Sequence, residues 1–207
     1  TFMLIPMDAD GIECRPIIQI TGDAEFNEVY FTDARTAAHN VVGEVDQGWK
    51  VAMGLLAFER GASTLGQQLN FSNEFDAIVE TARVRGRLGD PLARQQLAEI
   101  WSRLQIMKWS TERVLEGVEG TELPREAMVS KLFWATLRRD MGELWMEMSG
   151  SHAMIRPAAE DEHDTHPLSA AQKLFMFSRS DTIYAGTNEI QKNIIGERAL
   201  GLPREPR

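Results

Sequence analysis

The feature that most constrains this chain is a change of hydrophobic period near residue 43. Upstream, short β-prone runs at 2–7, 16–20 and 28–31 are separated by Asp10-Gly11 and Thr21-Gly22-Asp23. Turn dipeptides between apolar runs predict antiparallel strands, whose side chains alternate between faces. Downstream, Trp49, Met53, Leu56 and Arg60 fall at i, i+4, i+7 and i+11, one stripe of an α-helix. One period cannot serve both, so the chain divides into residues 1–42, the end of a β domain, and residues 43–207, a helical domain. Three short strands bury too little to stand alone. The first residues, Thr1-Phe2-Met3-Leu4-Ile5, read as the middle of a strand with no leader-like pattern, so upstream partners are expected.

The helical stripes recur. The first helix is predicted to run from Asp46 to about Arg85, and Gly86 to Pro91 breaks it. A second stripe extends from Leu97 to Val118, with Gly117, Gly120 and Pro124 framing the next turn, and a third spans Met128 to Met148. Residues 150–167 are polar and irregular. A further helix covers about 168–178, and another follows Thr187. Four or five amphipathic helices with short connections imply a mainly α, up-down antiparallel bundle preceded by a few antiparallel strands. Trp101, Trp109, Trp134 and Trp145 are expected in the core more readily than at an interface.

Charge and cysteine usage exclude several functions. Twenty-two basic against 31 acidic residues give a net charge of −9, and no basic tract offsets it, so nucleic acid is not an expected partner. No apolar run approaches the roughly 18–20 residues of a membrane span. Cys14 is the only cysteine, which rules out an internal disulfide and a cysteine-rich metal site. The expectation is a soluble cytoplasmic protein.

Few residues suggest chemistry on their own. His163 and His166 sit among acids but lack ligand spacing, so a solvated loop is the better reading and no metal is expected. His39 and His152 have no nucleophile near them in sequence. Glu59 shares a helix face with Leu55, Ala62, Ser63 and Gly66. An acid on such a stripe is either a desolvated base or half of an ion pair with Arg60 or a partner helix. In the segment Tyr184-Ala185-Gly186-Thr187-Asn188-Glu189-Ile190-Gln191, Gly186 permits a sharp turn and Thr187 can cap the following helix.

That last segment, continued through Lys192-Asn193-Ile194-Ile195-Gly196-Glu197-Arg198, strongly resembles the C-terminal signature of the acyl-CoA dehydrogenases. Phe26 to Arg35 resembles the last strand of that family's middle β domain, and Asn40 to Lys50 the link into its C-terminal helical domain. The resemblance implies a FAD-dependent enzyme that removes a proton α to a thioester and passes hydride from the β carbon to flavin. Most members carry the base where this chain has Ala185. A second group places it on the first bundle helix before an arginine, as in Phe58-Glu59-Arg60, so Glu59 is the expected base and Arg60 orders the site.

Further roles follow from the resemblance alone. The backbone N–H at Ala185 is a thioester-oxygen donor beside a flavin ribityl hydroxyl, and Tyr184, Ala185 and Gly186 line the substrate. Arg85, Gln96, Gly150, Thr187 and Glu189 match FAD-contacting positions. Leu88 replaces an aromatic residue, and Met146-Glu147-Met148-Ser149-Gly150 lacks the family's glutamine. The implied partners are an acyl-CoA, an electron-transferring flavoprotein, and further subunits in a homodimer, a homotetramer or a heteromer with a paralogous subunit. The alternatives are a non-catalytic subunit of a heteromer, where Glu59 is structural, and a helical assembly module without ligand.

Overall fold

A computed structural model describes residues 1–62, 64–117, 127–159 and 167–204, with side chains for all of these except 57–62, 64 and 65. It contains two compact units, Thr1–Glu59 and Arg60–Arg207.

The first unit holds two antiparallel strand pairs. β1 (Phe2–Met3) pairs with β4 (Val41–Val42), and β2 (Ile12–Ile17) pairs with β3 (Phe26–Phe31) from Ile12 opposite Phe31 to Ile17 opposite Phe26. Gly11 sets the entry to β2. It has φ +84°, and a Cβ there would lie 2.2 Å from the Thr32 carbonyl oxygen, so only glycine fits. This turn starts the second strand at Ile12 instead of Pro16. At the other end the Gln19 N–H donates to the Asp23 carbonyl, 2.9 Å, which takes Ile18 to Ile20 into a turn instead of the ladder. The first predicted strand likewise shrinks to Phe2–Met3, because residues 7–11 turn. α1 (Gly48–Ala62) follows.

The second unit is helical. The stretch expected to be helical to about Arg85 is helical over the described residues Gly48–Ala62 (α1) and Thr64–Val84 (α2), with residue 63 outside the described residues. α3 (Pro91–Glu116) starts where Asp90 Oδ1 accepts the Leu92 N–H at 2.9 Å, with Pro91 in the first turn, where a missing N–H costs nothing. α4 (Ala127–Ser149) ends in a 3-10 turn, Gly150–Met154, where an irregular stretch was expected. α5 (Ala170–Asp181) opens with a reciprocal cap between Ser169 and Gln172. α6 (Asn188–Ile194) continues into a π turn, Ile195–Ala199. The expectations for His163 and His166 lie outside the described residues.

Contacts along the helices fix their directions. Phe71 lies against Trp134, Glu74 bonds Arg138 and Thr81 bonds Trp145, so α2 and α4 run parallel. Gln96 meets Glu147 and Arg103 meets Asp140, so α3 is antiparallel to α4. Gly142 faces Phe175 while Arg138 reaches Asp181, so α5 is antiparallel as well. This is the up-down order the connections imply. The core runs along one stripe per helix: Phe71, Phe75, Ile78 and Ala82 on α2, Leu97, Ile100 and Leu104 on α3, Leu137, Met141 and Met148 on α4, and Leu174 on α5. Trp134 and Trp145 are in it. Trp101 and Trp109 are not: both stand more than half exposed on the outer face of α3. No described helix is long and apolar enough to cross a membrane.

Candidate active site

The turn from α5 into α6 gathers half of the expected site residues: Tyr184, Ala185, Gly186, Thr187 and Glu189. α5 ends at Asp181, whose side chain is fully buried. Tyr184 donates its hydroxyl to Asp181 Oδ1 at 2.5 Å, and Arg138 donates to Oδ2 at 3.3 Å. Lys131 donates to the Asp181 carbonyl at 2.8 Å, and Glu74 accepts from Arg138 at 2.8 Å. Burial raises the Asp181 pKa against the pull of Tyr184, Arg138 and Lys131. Burial lowers that of Lys131, opposed by Asp181 and Glu189. Asp181, through its carboxylate and its carbonyl, thus ties α4 and α5 to the base of the turn, and Arg138 extends the network to Glu74 on α2.

The turn itself is left-handed at two successive residues, Ala185 (φ +53°) and Gly186 (φ +93°). The conformation strains an alanine by about 1 kcal/mol. Gln191, 1% exposed, holds it by donating Nε2 to the Ala185 carbonyl at 3.0 Å. Gly186 at φ +93° is where glycine is favoured, and a Cβ there would also lie 2.7 Å from that same Nε2 and displace it. Among the described residues no acceptor takes the Ala185 N–H. Thr187 caps α6, its Oγ1 accepting the Ile190 N–H at 3.3 Å. Glu189 is exposed in the first turn. Its own N–H and the Thr187 hydroxyl hold its carboxyl below the ordinary value.

The remaining expected residues lie apart from this turn. Glu59 and Arg60 are on α1, with side chains outside the description. Arg85 is exposed just past the end of α2. Gln96 on α3 donates to Glu147 on α4 at 2.8 Å, and Gly150 ends α4 at φ +60°. Among the described residues no three metal-ligating side chains cluster. Sequence reasoning passed over Asp181, Lys131 and Arg138. The signal was present, because Lys131 is a charge on the apolar stripe of α4, the same pattern that singled out Glu59.

A cleft of about 340 Å³ opens beside the turn. Tyr184, Trp134 and Phe71 form one wall; Gln67, Asn70, Asn73, Glu74 and Arg138 supply its polar atoms.

The acyl-CoA dehydrogenase C-terminal domain family matches residues 46–200. This chain belongs to the acyl-CoA dehydrogenases. Among its relatives, acyl-CoA dehydrogenase IpdE1 of Mycobacterium tuberculosis is 48% identical over 206 residues, which are 99% of this chain and 51% of that protein. The IpdE1 of Mycolicibacterium smegmatis is also 48% identical, over 99% of this chain and 50% of its own length. The chain therefore spans about half the length of the curated relatives it matches. Among solved structures, the Tcur3481-Tcur3483 steroid ACAD matches with a TM-score of 0.80 at 26% identity, covering 98% of this chain and 52% of that one. The ChsE4-ChsE5 complex from M. tuberculosis matches with a TM-score of 0.73 at 26% identity, covering 99% and 52%.

The family is generally FAD-dependent. The residues present fit such a group: Gln96 Oε1 and Asn188 Oδ1 are both buried without a hydrogen-bond partner among the described residues. Buried acceptors left open cost about 1–3 kcal/mol each, which donors on a bound cofactor would relieve. Asn188 was not singled out from the sequence.

Proposed function

We propose that the protein containing this chain is a FAD-dependent acyl-CoA dehydrogenase that forms an α,β-double bond in an acyl-CoA thioester. The observation that carries the reading is the Ala185 N–H, unpartnered among the described residues and held in a strained turn by Gln191. It suits the thioester oxygen, which gains negative charge as the α-proton leaves, and a fixed backbone donor stabilises such charge without reorganising. Glu59 takes the α-proton and Arg60 orders the site, with Tyr184 and Gly186 shaping the substrate side of the turn. Arg85, Gln96, Gly150, Thr187 and Glu189 would hold FAD, which when bound supplies the hydride acceptor. The electrons pass on to an electron-transferring flavoprotein, and the enzyme works in the cytoplasm as an oligomer.

The test is Glu59→Gln in the full-length protein, which keeps the shape and deletes the base. Losing a general base typically costs about 10²–10⁴-fold in rate. Retention of more than about a third of the activity with FAD still bound would remove Glu59 from the role.

One observation favours a second reading. Ala185 stands where the resemblance puts the base of most members, and two similar solved structures, Tcur3481-Tcur3483 and ChsE4-ChsE5, are pairs of proteins by name. In that reading this chain pairs with a paralogous subunit that carries the base, and Glu59 is structural. Flavin bleaching by acyl-CoA with no partner subunit present would exclude it.

A further inference from the structure

We propose that Asp181 is a positioning residue for the backbone donor at Ala185: its carboxylate, through the Tyr184 hydroxyl, holds one end of the peptide whose N–H meets the thioester oxygen. The inference rests on the dehydrogenase reading above and adds a residue outside the set expected for that site. The direction of an amide N–H follows its planar peptide, which has little freedom once the residues at both ends are held. At the far end, Gln191 holds Ala185 by its carbonyl at 3.0 Å. At the near end, the Tyr184 N–H donates to the Ser180 carbonyl at 3.0 Å, and the Asn188 N–H closes the turn on the Thr182 carbonyl at 3.1 Å. A left-handed alanine persists only where its surroundings over-determine it. The Tyr184 side chain supplies the further restraint. Its hydroxyl reaches back three residues to Asp181 Oδ1 at 2.5 Å, and its ring lies 6.2 Å from Trp134 and 6.5 Å from Phe177 between centroids.

Magnitudes separate this role from plain stability. A buried ion pair adds little net stability, since apolar side chains in its place are often neutral or favourable. Asp181 is nevertheless a fully buried carboxylate, and two other helices hold it in place. Arg138 of α4 donates to it at 3.3 Å and is itself held by Glu74 of α2 at 2.8 Å, while Lys131 of α4 donates to the Asp181 carbonyl at 2.8 Å. What the charge supplies is a rigid acceptor, because hydrogen bonds to an ionised group are shorter and roughly twice as strong as neutral ones. Rigidity matters at a donor that must meet developing charge, where a misplacement of about 1 Å can cost about 100-fold in rate.

The test uses full-length protein with its flavin. Tyr184→Phe keeps the ring and deletes the tether. Its FAD content should match the parent's, while kcat falls about tenfold or more with KM little changed. A 3-oxoacyl-CoA gives a readout without turnover, because its acidic α-proton lets it bind as an enolate whose charge-transfer band with flavin is measured. At fixed pH the enolate fraction in Tyr184→Phe should fall about tenfold along with kcat. Asp181→Asn should act in the same direction more weakly, since the amide still offers one oxygen. The double variant should be no worse than Tyr184→Phe alone, because both changes break one bond. Should Asp181→Asn fail to fold, Tyr184→Phe decides alone. A rise in KM with kcat unchanged, an unchanged enolate fraction, or losses that multiply in the double variant would overturn the positioning role, and bleaching of the parent would still uphold the dehydrogenase reading. An enolate band that the variants weaken, in a protein whose flavin no acyl-CoA bleaches, would support the positioning role and overturn the dehydrogenase reading. A parent with neither band nor bleaching would overturn both.

Discussion

The strand unit of this chain has the larger share of apolar residues, 30 of 59 against 59 of 148 in the helical unit, and among the described residues it hides far fewer of them. In the helical unit, Ile78, Leu137, Met141 and Met148 lose all their exposure. In the strand unit, Ile18, Ile20 and Phe31 keep 62%, 76% and 62% of theirs, and no large apolar side chain among its described residues is buried. A helix needs only one stripe covered, and four antiparallel helices cover one another. A two-stranded hairpin has two faces and two edges, and its partner strand covers none of the faces. The strand unit thus carries a surface that only other protein can satisfy, consistent with a chain half as long as its relatives.

This contrast can be sharpened or broken by substitution and thermal unfolding of the 207-residue chain. Leu137→Ala, at the centre of α4, should cost about 2–5 kcal/mol through lost burial and a residual cavity. A smaller loss would mean that the bundle relaxes around the gap and is less tightly packed than its burial indicates.

Asp181→Asn should cost about 1–3 kcal/mol near neutral pH, since it leaves one of the two donors, Arg138 or Tyr184, without its carboxylate acceptor. The pH dependence has a definite sign. The folded-state pKa of Asp181 is raised, so its stabilisation is full below the ordinary aspartate value of 3.8 and declines as pH rises through the raised value. The difference between parent and variant should therefore grow on acidification. A difference that shrinks in acid would show that Arg138 and Lys131 outweigh burial.

Thr187→Ala should cost about 1 kcal/mol by removing the cap of α6. Protection of the α6 amides against hydrogen exchange should fall more than that of α4, and equal loss in both would show that the turn and the core unfold as one.

Val29→Ala in β3, already 38% exposed, should change stability by less than about 0.5 kcal/mol. A larger effect would mean that the hairpin folds cooperatively with something that covers it.

The legibility of the sequence follows the same division. Helix stripes were readable because burial on one side forces a 3.6-residue period, and the residues expected on the stripes of α3 and α4 are largely the buried ones. The strands were found, but their ends moved by several residues, because Gly11 and the Gln19–Asp23 turn, and not hydrophobicity, decide where pairing starts and stops. The turn at 184–187 was visible through Gly186 and Thr187, whereas the left-handed Ala185 was not, because alanine gives no hint of positive φ. The Asp181 cluster joins residues as far apart as Glu74 and Asp181, a proximity that only the folded chain supplies.

The paired left-handed residues at 185 and 186 also divide the turn by what heredity can alter. Position 186 is closed to change, since its φ of +93° strains any residue with a side chain and a Cβ there would displace the Gln191 amide. Position 185 is open, with its backbone course fixed from outside by Gln191 and its own side chain exposed. A lineage can therefore gain or shed a carboxylate at 185 in single steps while the direction of the neighbouring amide stays constant. Under the proposed mechanism, a side-chain base and a backbone donor at one residue would become separately heritable, and a base could sit on another helix without the donor being reinvented.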